Sequence, residues 1–226
     1  AIEADAKCAI EALLKEIILV IGPRDSRRDE LEKRKKDFEG RIRGIVPEQT
    51  RLLDTIRTEL ADDAIVISGM TNIVSWAHTY FLSKSPGTYI TSSYFGTLGY
   101  AFPTSLGAKI AQPDRQVVSL NGDGGFMFNV QELSTAAEHG INTVAVVFNN
   151  RAFGASNWDQ THRFNKRYIG TELRNPDLMK LAEAFGIRCI RAEPNDLQSA
   201  LRIALDAKAP FLIEVPLPNL MPPFQI

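Results

Sequence analysis

The sequence has 226 residues, 44% hydrophobic and 23% charged, and its 26 basic and 27 acidic side chains give a net charge of −1. That length buries a sizeable core and fits one large or two small domains, while the balanced charge argues against a nucleic-acid or membrane-surface protein. Cys8 and Cys189 are too few and too far apart for a disulfide framework or a Cys-rich zinc site, and no apolar run reaches the ~18 residues of a membrane span, so a cytoplasmic protein is expected.

The chain opens on Ala1-Ile2-Glu3-Ala4-Asp5, without the basic and apolar regions of a signal peptide and without an initiator methionine, and it reads as the cut end of something longer. From Asp5 to Val20, residues Ala6, Ala9, Ile10, Leu13, Leu14 and Ile17 recur at spacings of three and four, the apolar face of a helix. Gly22-Pro23 is expected to end it. Arg24 to Arg43 holds nine Lys/Arg and six Asp/Glu. Interspersed opposite charges point to a solvated helix or linker rather than a basic contact patch. Pro47 starts a second amphipathic segment that runs through Leu60.

Beyond residue 64 the pattern becomes regular. Apolar runs at Ala64–Ser68, Gln116–Leu120, Thr143–Phe148, Ile187–Arg191 and Phe211–Val215, with a weaker one at Thr88–Thr91, predict strands. Helical patterns lie between them at Asn72–Leu82, Pro103–Ala111, Val130–His139, Pro176–Phe185 and Asn195–Ala207. The central strands are apolar on both faces, as parallel strands covered on both sides are. The fold class is therefore α/β: a doubly wound, open, mainly parallel sheet in a three-layer α/β/α arrangement. Ligands of such sheets bind beyond the carboxyl ends of the strands, which directs attention to Gly69, Gly122, Asn149 and the residues after them.

Val117–Leu120 runs into Asn121-Gly122-Asp123-Gly124-Gly125, and a helix follows. Glycines let the backbone approach a ligand closely, and N–H groups at a helix start favour an anion. A carboxylate among them repels bare phosphate, so Asp123 makes sense with a cation between. The next strand ends in Asn149-Asn150, whose amide oxygens are hard donors, 27 positions from Asp123 to Asn150 and one strand–helix–strand unit away. Such oxygens suit Mg2+ or Ca2+ better than zinc. Met127 stands where a dinucleotide-binding turn needs its third glycine.

Gly122-Asp123-Gly124, 24 residues, then Asn149-Asn150 resembles the thiamine diphosphate and magnesium motif of thiamine-dependent enzymes. The surrounding text, with Gly96-Thr97-Leu98-Gly99-Tyr100-Ala101-Phe102-Pro103, Asp114–Val118 and Asn149–Gly154, is similar to the C-terminal cofactor domain of the acetolactate synthase-like group over residues 48–217. The resemblance implies a domain at 47–226, preceded at 1–46 by the helical tail of a middle domain and a charged connector. It implies that Asp123, the Asn150 side chain and the Ala152 carbonyl ligate Mg2+. Gly124 and Gly125, with Gly122, Gly69, Thr71, Asn72 and Phe153, would hold thiamine diphosphate. Leu98 would wedge beneath the cofactor and bend it, and the Gly96 carbonyl would meet its 4′-amino group.

The resemblance further implies C–C bond chemistry on a 2-oxo acid or aldehyde, by decarboxylation or carboligation. The activating glutamate would come from an N-terminal domain, so no catalytic residue is assigned in this chain, which would be inactive alone. Homodimers or homotetramers are implied. Where acetolactate synthases continue Gly-Met-Val, this chain has Gly154-Ala155-Ser156, which puts acetolactate itself in doubt. Of the histidines, His139 suits a helix C-terminus, His78 reads as structural, and His162 lies in an aromatic lid-like segment that could touch substrate. Two other functions remain open at this point: a non-catalytic interaction or regulatory domain, and a nucleotide-binding α/β domain.

Overall fold

The computed structural model describes residues 3–21, 25–92 and 95–223, so the predicted Gly22-Pro23 stop lies outside the described residues. The chain divides into two compact units, Ala1–Arg41 and Ile42–Ile226. In the first, α1 (Ala6–Ile21) starts where the Asp5 carboxylate accepts from the backbone N–H groups of Lys7 and Cys8, at 3.0 and 3.2 Å. Its apolar face, with Ile10, Leu13, Leu14 and Ile17, is exposed. The charged stretch forms α2 (Arg28–Ile45), laced by exposed pairs one turn apart such as Arg34 with Glu30 and Lys35 with Glu39. This is the solvated helix that mixed charge predicts. Ile42, in its last turn, is buried with the second unit.

The second unit begins with α3 (Pro47–Glu59), where proline in the first turn forgoes an N–H that has no helical partner anyway. Then follow β1 (Ile65–Ser68), α4 (Asn72–Tyr80), β2 (Tyr89–Thr91), α5 (Ala101–Ala111), β3 (Val117–Gly122), α6 (Asp123–Met127), α7 (Glu132–Glu138) and β4 (Val144–Asn149). The chain continues through α8 (Gly154–His162), α9 (Leu178–Ala184), β5 (Arg188–Arg191), α10 (Leu197–Asp206) and β6 (Phe211–Pro216). All strand pairs are parallel, in the order β2-β1-β3-β4-β6-β5.

Alternation along each strand sends its side chains to two cores. Val144, Val146 and Phe148 of β4 join Leu52 and Ile56 of α3, Trp76 of α4 and Leu201 of α10 on one face. Ala145 and Val147 join Phe102 of α5, Leu133 of α7 and Leu178 of α9 on the other. The three-layer, doubly wound α/β fold expected from the sequence is the one observed. The helical pattern predicts a start at Pro103, yet α5 begins at Ala101 and leaves the proline in its first turn. The aromatic, lid-like segment around His162 forms α8, an element the helical patterns do not include. It buries none of its residues, so it carries no apolar stripe to read.

Candidate functional site

The strand order places a crevice. From β1 the chain crosses outward to β2, then returns to the other side of β1 as β3. Loops that leave β1 and β3 therefore part at their carboxyl ends, the place where such sheets bind ligands. The Gly69 N–H donates to the Leu120 carbonyl at 2.8 Å and ties the two strand ends together.

A cavity of about 280 Å³ opens at this edge. Thr71 and Asn72 line it from the β1–α4 turn, Gly122, Asp123, Gly124 and Gly125 from the end of β3 and α6, and Asn150, Ala152 and Phe153 from beyond β4. Leu98 completes this set and stands close to Gly125. Gly69 and Gly96 do not line the cavity. Gly96 instead turns the chain at φ +62°, beside Met70. Met70, Ser75 and Gly154 to Ser156 also line the cavity, though sequence reasoning did not name them as site residues. His162 is not among the lining residues. Its ring stacks on Trp158 at 4.2 Å, and its Nδ1 lies 2.9 Å from the Trp158 carbonyl oxygen.

Asp123 is 1% exposed. Its Oδ2 accepts from Asn175 Nδ2 at 2.5 Å, and backbone N–H groups of Gly124, Asp123 and Asn150 also donate to the carboxylate. Among the described residues no cationic side chain neutralises it. Burial therefore pushes its carboxyl above the ordinary aspartate value, although the hydrogen bonds pull the other way.

The two asparagines after β4 are turned to different tasks. Asn149 Nδ2 donates to the buried Glu214 at 2.6 Å, and Glu214 in turn accepts from Arg191 Nε at 2.7 Å. The Oδ1 of Asn149 accepts from the Arg151 N–H, and that of Asn150 from the Ala152 N–H, both at 3.1 Å. Between them Arg151 takes a left-handed φ of 54°, rare outside glycine and asparagine. This turn is clamped from outside. The Phe153 N–H donates to Thr171 and the Leu173 N–H to Arg151, at 2.9 and 2.8 Å. The segment after Thr171 thus runs beside residues 151–153 and delivers Asn175 to Asp123. Sequence reasoning missed Asn175 because nothing in the text pairs it with a residue 52 positions away.

Among the described residues, no group of three or more His, Cys, Asp or Glu side chains could hold a metal. The donors are one carboxylate, one carboxamide and backbone carbonyls. That set fits a hard cation which completes its shell with phosphate and water, and it does not fit zinc. Gly124 provides the matching cradle, since a Cβ there would come within 2.7 Å of Phe153 and 2.9 Å of Leu173.

The model for "Thiamine pyrophosphate enzyme, C-terminal TPP binding domain" matches residues 69–215. A probable acetolactate synthase large subunit from Methanococcus aeolicus is 36% identical over 172 residues, which cover 75% of this chain and 28% of that protein. The sulfoacetaldehyde acetyltransferase of Castellaniella defragrans is 33% identical over 159 residues, 70% of this chain and 27% of that protein. In structure, the thiamine diphosphate-dependent 4-hydroxybenzoylformate decarboxylase of Rhodococcus jostii RHA1 superposes with a TM-score of 0.69 at 31% identity, covering 75% of this chain and 32% of that one. The chain thus matches less than a third of the length of these relatives. The nucleotide-binding alternative gives way to this match. Gly122-Asp123-Gly124, Asn149-Asn150 and the crevice that unites them belong to the C-terminal thiamine pyrophosphate-binding domain of the acetolactate synthase-like thiamine enzymes, and the chain is a member of that family.

Proposed function

We propose that this chain holds thiamine diphosphate through Mg2+ at the carboxyl ends of β3 and β4, within a larger cytoplasmic enzyme that makes or breaks a C–C bond next to a carbonyl. The observation that carries this reading is Asp123, a buried carboxylate without a cationic partner among the described residues and within hydrogen-bond reach of the Asn150 backbone. Asp123, the Asn150 carboxamide oxygen and the Ala152 carbonyl are the protein ligands, and Mg2+ takes its remaining oxygens from phosphate and water. Gly124 and Gly125, in the first turn of α6, offer backbone N–H groups to the diphosphate. Gly122, Thr71 and Asn72 border it, and Gly69 keeps the β1 and β3 ends together behind them. Leu98 and Phe153, which line the cavity, would support the cofactor and limit access of water, and Gly96, outside that lining, would offer its carbonyl to the cofactor's amino group.

When bound, thiamine diphosphate supplies a nucleophilic carbon and an electron sink, the chemistry of 2-oxo acid decarboxylation and of carboligation. The substrate class is accordingly a 2-oxo acid or an aldehyde. The activating glutamate is contributed by another domain, in a homodimer or homotetramer. Residues 1–46 serve as a helical tail and connector, and residues 47–226 as the cofactor domain. The two cysteines, both unpaired, fit a reducing compartment.

Titration calorimetry of the purified chain with thiamine diphosphate tests the reading. Binding is expected with Mg2+, not in excess EDTA, and not in Asp123→Ala. A folded parent protein that takes up no cofactor in Mg2+ sinks it.

A further inference from the structure

Asn219 lies on the segment that leaves β6, far from either motif in sequence. Its side chain is saturated. Oδ1 accepts from Asn72 Nδ2 at 2.8 Å and from Asn150 Nδ2 at 3.2 Å, while Nδ2 donates to the Gly154 carbonyl at 3.1 Å and to Asn157 Oδ1 at 3.0 Å. The segment is fixed independently on both sides. The Leu217 N–H donates to the Asn149 carbonyl at 2.9 Å, and Trp76 Nε1 donates to the Met221 carbonyl at 2.7 Å.

A carboxamide is nearly symmetric in shape, so hydrogen-bond partners decide which end is oxygen. For Asn150 they agree. Its NH2 faces an acceptor on Asn219, and its oxygen faces the Ala152 N–H. Asn219 cannot present NH2 to Asn150 by turning over, because its own donors are committed to Gly154 and Asn157 and its Oδ1 also serves Asn72.

We infer that Asn219 is a positioning residue for the cation site: by accepting from the Asn150 NH2, it holds the Asn150 oxygen toward the metal. This rests on the Mg2+ and thiamine diphosphate reading proposed above. Without Asn219, the Ala152 N–H alone orients the Asn150 amide, and its nitrogen faces the cation for part of the time. Outer-shell partners of metal ligands typically carry roughly 10- to 100-fold in metal affinity.

The test is Mn2+ affinity of the full chain with saturating thiamine diphosphate, read by electron paramagnetic resonance of free Mn2+. Asn219→Ala is expected to bind at least about tenfold more weakly. Asn219→Asp, which keeps the acceptor, is expected to lie closer to the parent than the alanine variant. Trp76→Phe loosens the same segment at Met221 without touching Asn150, and should lower the melting temperature while leaving Mn2+ affinity within about twofold, below the range of a lost outer-shell partner. The inference is overturned if Asn219→Ala binds like the parent, if the aspartate variant is no better than alanine, or if Trp76→Phe weakens Mn2+ as much. Asp123→Ala separates the levels: lost binding there upholds the site, whereas retained binding removes the site and the role of Asn219 with it.

Discussion

A carboxylate as deeply enclosed as Asp123 is costly to keep ionised, and the cost falls only when charge or hydrogen bonds approach it. Four donors do so already, which leaves an unneutralised charge on an otherwise satisfied group. The neighbouring glycine has the complementary part. In Gly124→Ala the new methyl presses on Phe153 and Leu173, and overpacking of this kind costs about 1–3 kcal/mol. A lower melting temperature together with weaker thiamine diphosphate binding is expected. An unchanged melting curve would falsify this account of the cradle. Asp123 and Asn150 were legible in the sequence because each immediately follows an apolar strand and lies beside a residue type that breaks it. Asn175 and Asn219 were not. Each is one amide in an ordinary turn until the fold brings it 52 or 69 positions back along the chain.

Elements hold these residues by their ends. The turn after β4 is tied sideways to β6 through Asn149 and the buried Glu214, whose second oxygen binds Arg191 of β5. Glu214→Ala leaves two donors without their acceptor and is expected to destabilise the protein by about 1–3 kcal/mol in denaturant titration, a range set by the desolvation penalty of stranded polar groups. Glu214→Gln, which still accepts from Asn149, should recover part of the loss. At the opposite side of the crevice Tyr89 of β2 donates its hydroxyl to Ser68 at the end of β1, at 2.9 Å. Burial pushes its phenol from 10.0 up to about 12. The folded state then binds the proton more tightly than the unfolded chain, so this contribution is complete below the unfolded value and is lost as pH rises through the folded one. Stability should fall between those two values, and the fall should be smaller in Tyr89→Phe, as followed by chemical denaturation at each pH. A parent and variant that lose stability in parallel would remove Tyr89 as the cause. Strand ends and helix caps were readable where composition changes sharply, as at Gly122. α8 was not, because Ser156, Asn157, Asp159 and Gln160 give it no apolar side and its fold depends on partners outside the helix, such as Thr171 with Asn157 and Gln160.

At the scale of the molecule, the second unit has its core clusters within itself, assembled from β strands and the helices on their two faces. A protein that begins at Ile42 is therefore expected to unfold cooperatively and to retain Mg2+-dependent cofactor binding. A molten product, by near-ultraviolet circular dichroism, would show that the first unit is needed for the fold. The architecture was legible because buried parallel strands are written as continuous apolar runs separated by helices. The strand order was not, since the runs look alike whichever neighbour they take. That order has a kinetic consequence. The cavity draws on the turns after β1, β3 and β4, and its proposed cation ligands are held by Asn175 and Asn219 from two further segments, so its walls are completed by contacts of long sequence separation. Such contacts form late in folding. No local fragment can assemble the pocket ahead of the sheet, and ligand capture must follow global collapse. A cofactor bound only by the finished domain then draws the whole folding equilibrium with it by mass action, and slows amide exchange across the strands rather than at the pocket alone.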